Sequence, residues 1–182
     1  MTKVYVFLAN GFEEVEGLTV VDLLRRAAIE TTMISIMGTK EIIGAHKIKL
    51  EADALFEELD YSDADMLVLP GGMPGTTNLA EHKELVDLLL KFNHEGRKLA
   101  AICAAPSVLG MNGILKDKKA TCYPGFEDKL LGAISTGNNV EKSANIITSK
   151  GMGTAIEFAL CIIAELKGSE AANEIAKSIQ YM

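Results

Sequence analysis

The chemistry open to this chain centres on one of its three cysteines. Cys103 ends the apolar run Leu99-Ala100-Ala101-Ile102 and stands three residues before Pro106, which opens a helical pattern. The cysteine therefore falls where a buried strand turns sharply into a helix. Proline favours the first helical turn because its missing N–H has no partner there anyway, so the first free backbone N–H groups of the helix are expected around the sulfur. Those donors and the helix dipole favour the thiolate, and such sites lower a cysteine pKa from about 8.5 into the range of about 3.5–7.5. A thiolate at neutral pH is a nucleophile. The competing reading is a buried cysteine acting as a small hydrophobe. Cys161, inside Phe158-Ala159-Leu160-Cys161-Ile162-Ile163, reads that way, and Cys122 reads as a buried structural residue or a second thiol near a cleft.

Other groups could serve that sulfur. Gly71-Gly72 lets backbone approach a neighbour closely, and the N–H groups of Gly72 and Ala104 could form an oxyanion hole; an ordinary strand-end turn has the same composition. Glu13, Glu14 and Glu16 sit at a helix start, where carboxylates are favoured by the dipole. One of them, facing Cys103 in an apolar cleft, would have its pKa raised and could shuttle protons. Spacing alone leaves the three open. The histidines are His46, His82 and His94, and none follows Cys103, so a Cys-His dyad with a downstream base is excluded. No Cys/His spacing suggests zinc, and no metal is expected. Gly151-Met152-Gly153 has Ile156 where a dinucleotide loop needs glycine, and no phosphate-loop motif is present.

The elements that must position these residues alternate. Val4–Leu8, Thr31–Met37, Asp65–Leu69, the run ending at Cys103, and Asn145–Ser149 read as strands. Val15–Ala28, His82–Glu95, Ala155–Leu166 and Ser169–Gln180 read as helices. Gly38 and Gly44 bracket a hairpin returning along His46–Leu50, Leu55–Leu59 reads as a short helix, and Ala120–Cys122 and Val140–Lys142 as short strands. Strands apolar on both faces mean a parallel sheet covered on both sides. The expected fold is α/β, a three-layer α/β/α sandwich of flavodoxin-like type with a mostly parallel sheet and a small edge hairpin. One domain over residues 1–182 is expected. In such sheets ligands bind beyond the carboxyl ends of the strands, which gathers Glu13–Glu16, Pro70–Gly75, Cys103-Ala104 and Gly151–Gly153 at one edge.

With 182 residues, a net charge of −7 and no basic cluster, the chain offers no nucleic-acid or anionic-membrane surface. No signal peptide or membrane span is expected. The odd cysteine count fits a reducing, cytoplasmic setting.

Pro70-Gly71-Gly72, the elbow Ala100–Pro106, Gly11–Glu16 and Thr148–Thr154 together resemble the ThiJ/PfpI superfamily, in the branch of the parkinsonism-associated protein deglycase and its bacterial relatives. The resemblance spans nearly the whole chain. It implies a homodimer with the first helix, including Arg26, near the interface. It also implies a reactive Cys103, Glu16 as the protonated carboxylate beside it, and Gly72 and Ala104 as backbone donors. Tyr123 stands where several members carry His, and with Gly71 it is a candidate substrate contact. His46 stands in place of an interface Arg, and Met152 where a Pro is common. Ala104 replaces the His that peptidase-like members carry, so an intracellular cysteine peptidase or amidase is disfavoured. The implied activity is a glyoxalase or deglycase acting on a small aldehyde or dicarbonyl such as methylglyoxal, with no cofactor and with a role in carbonyl or oxidative stress. The alternative is a redox-sensing or chaperone-like stress protein working through oxidation of Cys103.

Overall fold

A computed structural model describes residues 2–181. The main sheet has seven strands, ordered β10-β11-β7-β6-β1-β2-β5. They are β1 (Lys3–Leu8), β2 (Glu30–Ser35), β5 (Ala54–Leu55), β6 (Met66–Leu69), β7 (Lys98–Ile102), β10 (Val140–Ser143) and β11 (Ile146–Ser149). Every pairing is parallel except β10 with β11. The central strands are apolar on both faces because both faces are covered. Tyr5, Phe7, Leu67, Leu69, Leu99 and Ala101 point into one core. Val4, Val6, Leu8, Met66, Val68, Ala100 and Ile102 alternate with them into the other. Helix α1 (Glu14–Arg26) packs on the second face through Val20, Val21, Leu23 and Leu24, together with α5 (Ala155–Lys167) and α6 (Ser169–Ser178). The first face carries α2 (Gly75–Glu81), α3 (Lys83–His94) and α4 (Pro106–Met111). This is the expected α/β/α sandwich.

Several local expectations are corrected. The hairpin forms its own two-stranded ladder of β3 (Glu41–Ile43) and β4 (Lys49–Glu51), and its return strand begins at Lys49, not His46. His46 is instead held in the turn by Glu14, as described below. Leu55–Leu59 is not an α-helix: Leu55 belongs to β5, and only a 3-10 turn at Phe56–Glu58 follows. β8 (Lys119–Ala120) stops before Cys122 and pairs with β9 (Ile134–Ser135), outside the main sheet. α2 was not expected, because its sequence GTTNLAE carries weak helix formers. The His82 Nδ1 caps α3 by accepting the Leu85 N–H at 3.1 Å, so His82 stands at the helix start and not within its first turn. Cys161 is only partly buried.

β1 is followed by a move to β2 on one side, and β6 and β7 lie on its other side. The chain therefore reverses direction across the sheet beside β1, and a crevice opens there at the carboxyl ends. α1, the loop after β6 and the turn after β7 all begin at that crevice. Among the described residues no helix is long and apolar enough to cross a membrane.

Candidate active site

Cys103 occupies a left-handed backbone conformation, φ +65°. For a residue with a Cβ this is strained, and such strain is held only where the surroundings over-determine it. Here they do. The Cys103 N–H donates to Ser149 O at 2.9 Å, its carbonyl accepts the Tyr123 N–H at 2.7 Å, and Ala105 N–H closes the turn on Ile102 O at 3.1 Å. Pro106 then starts α4. The result is a strand–turn–helix elbow that lifts the side chain out of the core and leaves it partly exposed. The N–H groups of Gly72 and Ala104 face the sulfur and pull its pKa down.

Glu16 reaches the same place from the first turn of α1. It is 1% exposed. Its Oε2 accepts the Gly71 N–H at 2.9 Å, and Oε1 has no hydrogen-bond partner although it is buried. Burial pushes the carboxyl up from 4.5 to about 7, against the pull of the Cys103 thiol and the Gly71 N–H. Gly71 is wedged between the two groups. A Cβ there would stand 2.6 Å from the Cys103 Cβ and 2.7 Å from Glu16 Oε2, so only glycine lets them approach. Gly72 turns the chain with φ +89°.

The expected lowering of the thiol pKa is overturned. Burial first, and then the Glu16 carboxylate, push Cys103 up to about 12, outweighing the two backbone donors. Near neutral pH the sulfur keeps its proton while Glu16 titrates. While Glu16 is ionised the sulfur keeps that proton; moving it onto Glu16 removes the charge that disfavours the thiolate. Cys122 is 4% exposed and sits in the core of the first face, where burial pushes its thiol up to about 11.

Glu13 and Glu14 are parted from Glu16 by their surroundings. Glu14 is 3% exposed. Its Oε1 accepts the N–H of His46 at 2.8 Å and of Ile48 at 3.4 Å, and its Oε2 lies 3.0 Å from His46 Nδ1. Burial pushes this carboxyl up, but its own backbone N–H and those from the hairpin hold it below 4.5. The Glu14 contact in turn raises the exposed His46 imidazole. Glu13 Oε2 is 3.6 Å from the same Nδ1. Glu13, Glu14 and His46 are the one group of carboxylates and imidazoles among the described residues whose ligand atoms come close enough to share an ion. The sequence spacing gave no sign of this, because His46 arrives on a separate hairpin.

A hollow of about 250 Å³ opens over Cys103, lined also by Glu13, Met73, Tyr123 and Phe126. Tyr123 is 51% exposed, and its ring packs on Gly151, where a Cβ would be 3.3 Å away. The structure thus brings Cys103, Glu16, Gly71, Gly72, Ala104 and Tyr123 together. Sequence reasoning missed Phe126, and held Met73 only as part of the stretch Pro70–Gly75. Tyr123-Pro124-Gly125-Phe126 is a turn signature, with φ +95° at Gly125 and Phe126 N–H donating to Tyr123 O at 3.1 Å. That signature could have returned Phe126 to the site.

Comparison with known proteins agrees with this architecture. Oxidized DJ-1 of Toxoplasma gondii superposes with a TM-score of 0.95 at 34% identity, covering 99% of this chain and 98% of that one. Protein DJ-1 homolog B of Arabidopsis thaliana is 38% identical over 176 residues, which cover 96% of this chain and 40% of that protein, so the chain spans less than half its length. The glutathione-independent glyoxalase DJR-1.2 of Caenorhabditis elegans is 33% identical over 169 residues, covering 92% of this chain and 89% of that protein. The sequence pattern of the DJ-1/PfpI family matches residues 2–165, and this chain belongs to that family.

Proposed function

We propose that the protein is a cofactor-independent glyoxalase or deglycase that uses Cys103 on reactive dicarbonyls. The observation that carries this reading is the buried Glu16 carboxyl, raised to about 7 and with Oε1 free, beside a thiol at a strained elbow. A group that titrates near neutrality can both release and take protons. Transfer of the thiol proton to Glu16 frees the thiolate, which adds to the aldehyde carbon of an α-oxoaldehyde and gives a hemithioacetal. The N–H groups of Gly72 and Ala104 face the negative charge that develops on the carbonyl oxygen. Glu16 hands the thiol proton to the alkoxide oxygen and, ionised again, takes the proton from C1 and returns one to C2 through an enediol, while the C1 hydroxyl proton passes to the C2 oxygen, leaving a 2-hydroxyacyl thioester. Water hydrolyses this to the hydroxy acid and restores the thiol. Tyr123 and Gly71 are the proposed contacts to the substrate. The glyoxalase name of the Caenorhabditis elegans relative supports this reading.

Steady-state loss of methylglyoxal with appearance of lactate, without glutathione, tests it. Many turnovers in the wild type, abolished in Cys103→Ser, are the expected result. Consumption no greater than one equivalent per protein would sink it. The second reading is redox sensing or a chaperone-like stress role through a sulfenic or sulfinic acid on Cys103, with Glu16 beside the oxidised sulfur. The oxidized state of the Toxoplasma gondii relative favours it. Peroxide titration followed by mass measurement would then find oxygen on Cys103 without turnover. We also propose a homodimer through α1, whose Val15 and Leu18 are 46% and 38% exposed. Sedimentation of the wild type against Leu18→Glu reads it, and a monomeric wild type removes it.

A further inference from the structure

A second hollow, of about 280 Å³, adjoins the one over Cys103. It is walled by Met73, Thr77, Ala80, Met111, Phe126 and Lys129. Met73 and Phe126 line both hollows and are the partition between them. The floor is continuous as well: Ala104 lines the first hollow and Ser107 the second, and the Ser107 hydroxyl donates to Ala104 O at 2.6 Å. Taken singly, each space falls short of the range of about 300–1,000 Å³ that holds small-molecule ligands, and joined they lie within it. Lys129 Nζ sits 4.7 Å from the centre of the Phe126 ring and holds that wall. Met73 is 52% exposed and has three rotatable bonds, so it is the wall that can move.

We propose that this second hollow is a specificity subsite, which takes an apolar substituent on the carbon chain of the substrate whose carbonyl Cys103 attacks. The proposal rests on the dicarbonyl reading above. Its chemistry follows from the walls: two methionines, Ala80 and a phenyl ring line the space beside Thr76, Thr77 and Ser107, and Glu81 and Lys129 bring one charge of each sign to the lining. An uncharged alkyl or aryl group larger than methyl is the occupant that buries this surface without leaving a charge unpaired. The preferred substrates are therefore α-oxoaldehydes with such a substituent, phenylglyoxal over methylglyoxal.

The experiment compares kcat/KM for phenylglyoxal and methylglyoxal in the wild type, in Ala80→Leu, which fills the hollow, and in Met111→Trp, which fills it from an exposed rim position. A wild-type preference for the aryl substrate of about tenfold is expected. Both variants should remove it while leaving methylglyoxal turnover within about twofold, the size of a change that touches no reacting group. Equal use of the two aldehydes by the wild type, or an equal loss of both in both variants, would overturn the subsite. A second arm needs no turnover: alkylation of Cys103 by N-benzyl iodoacetamide and by iodoacetamide, followed by mass spectrometry of the Cys103 peptide. Faster reaction with the benzyl reagent, abolished by Ala80→Leu, supports the subsite even if neither aldehyde is consumed, in which case only the glyoxalase reading falls. Equal alkylation rates in all three proteins overturn the subsite even if turnover is found.

Discussion

Glu14 and Glu16 lie two residues apart on one helix and are both almost completely buried, 3% and 1% exposed. Their chemistry is opposite. Glu14 is surrounded by donors from the hairpin and is held ionised below its ordinary range. Glu16 receives one backbone N–H, keeps one oxygen without a partner, and is pushed up to about 7. Burial alone therefore does not make a proton-transfer group; the supply of donors decides. Each carboxylate also has its own glycine. A Cβ at Gly44 would stand 2.1 Å from Glu14 Oε1, and one at Gly71 2.7 Å from Glu16 Oε2.

The comparison breaks most easily at the chemistry. Glu16→Gln should lower kcat for dicarbonyl turnover by about 10²–10⁴, the span of a lost general acid–base group. Glu14→Gln should leave kcat within about threefold, since Glu14 reaches no reacting atom. Comparable losses in the two variants would erase the distinction.

Stability should depend on pH with opposite sign at the two positions. A carboxyl raised from 4.5 to about 7 on folding favours the folded state below its unfolded pKa. That contribution is lost as pH rises through about 7, and amounts to roughly 3 kcal/mol in all. Glu14 is depressed, so its contribution is present above 4.5 and is lost as pH falls through its lower folded value. Denaturant unfolding of Glu16→Gln against wild type should therefore show the variant gaining relative stability between about pH 4.5 and 7. Glu14→Gln should lose relative stability as pH rises towards 4.5, below that range, and hold level across it. Parallel trends would show that the two carboxyls are alike after all.

A smaller effect is expected from the supporting glycine. Gly44→Ala must displace the Glu14 carboxylate and should cost about 1–3 kcal/mol in chemical denaturation, with Cys103 alkylation unchanged. If alkylation slows as well, the hairpin and the reactive site are not separable.

The least change should come in thiol reactivity itself. Glu16→Gln removes both the charge that raises the Cys103 pKa and the acceptor of the thiol proton, two effects of opposite sign, so alkylation by iodoacetamide at neutral pH should stay within a few-fold of wild type even as turnover falls. Alkylation falling as far as turnover would mean that making the thiolate is all that Glu16 does.

The main strands were readable because Val4–Leu8, Met66–Leu69 and Leu99–Ile102 are apolar on both faces, a pattern that only a covered parallel sheet produces. The elbow was readable from Cys103 and Pro106, and Gly71-Gly72 from composition. The choice among Glu13, Glu14 and Glu16 was not, because it depends on His46 and Ile48 arriving from a hairpin more than thirty residues away. The thiol pKa was misjudged for a related reason. The local backbone donors are visible in sequence, while the burial and the neighbouring carboxylate that outweigh them come from distant segments. α2 was missed since tertiary packing, and not propensity, fixes it: Leu79 and Thr76 are buried against the sheet.

The bond from Gly71 N–H to Glu16 joins residues 55 apart in sequence, and the elbow is pinned by Ser149 O and by Tyr123 N–H. Contacts of such long range carry a large loop-closure cost and form late in folding. A nascent or partly folded chain therefore carries Cys103 as an ordinary thiol, without its carboxylate partner or its strained backbone. The geometry that the proposed chemistry needs is complete only when β11 has docked beside β7, after synthesis has passed residue 149.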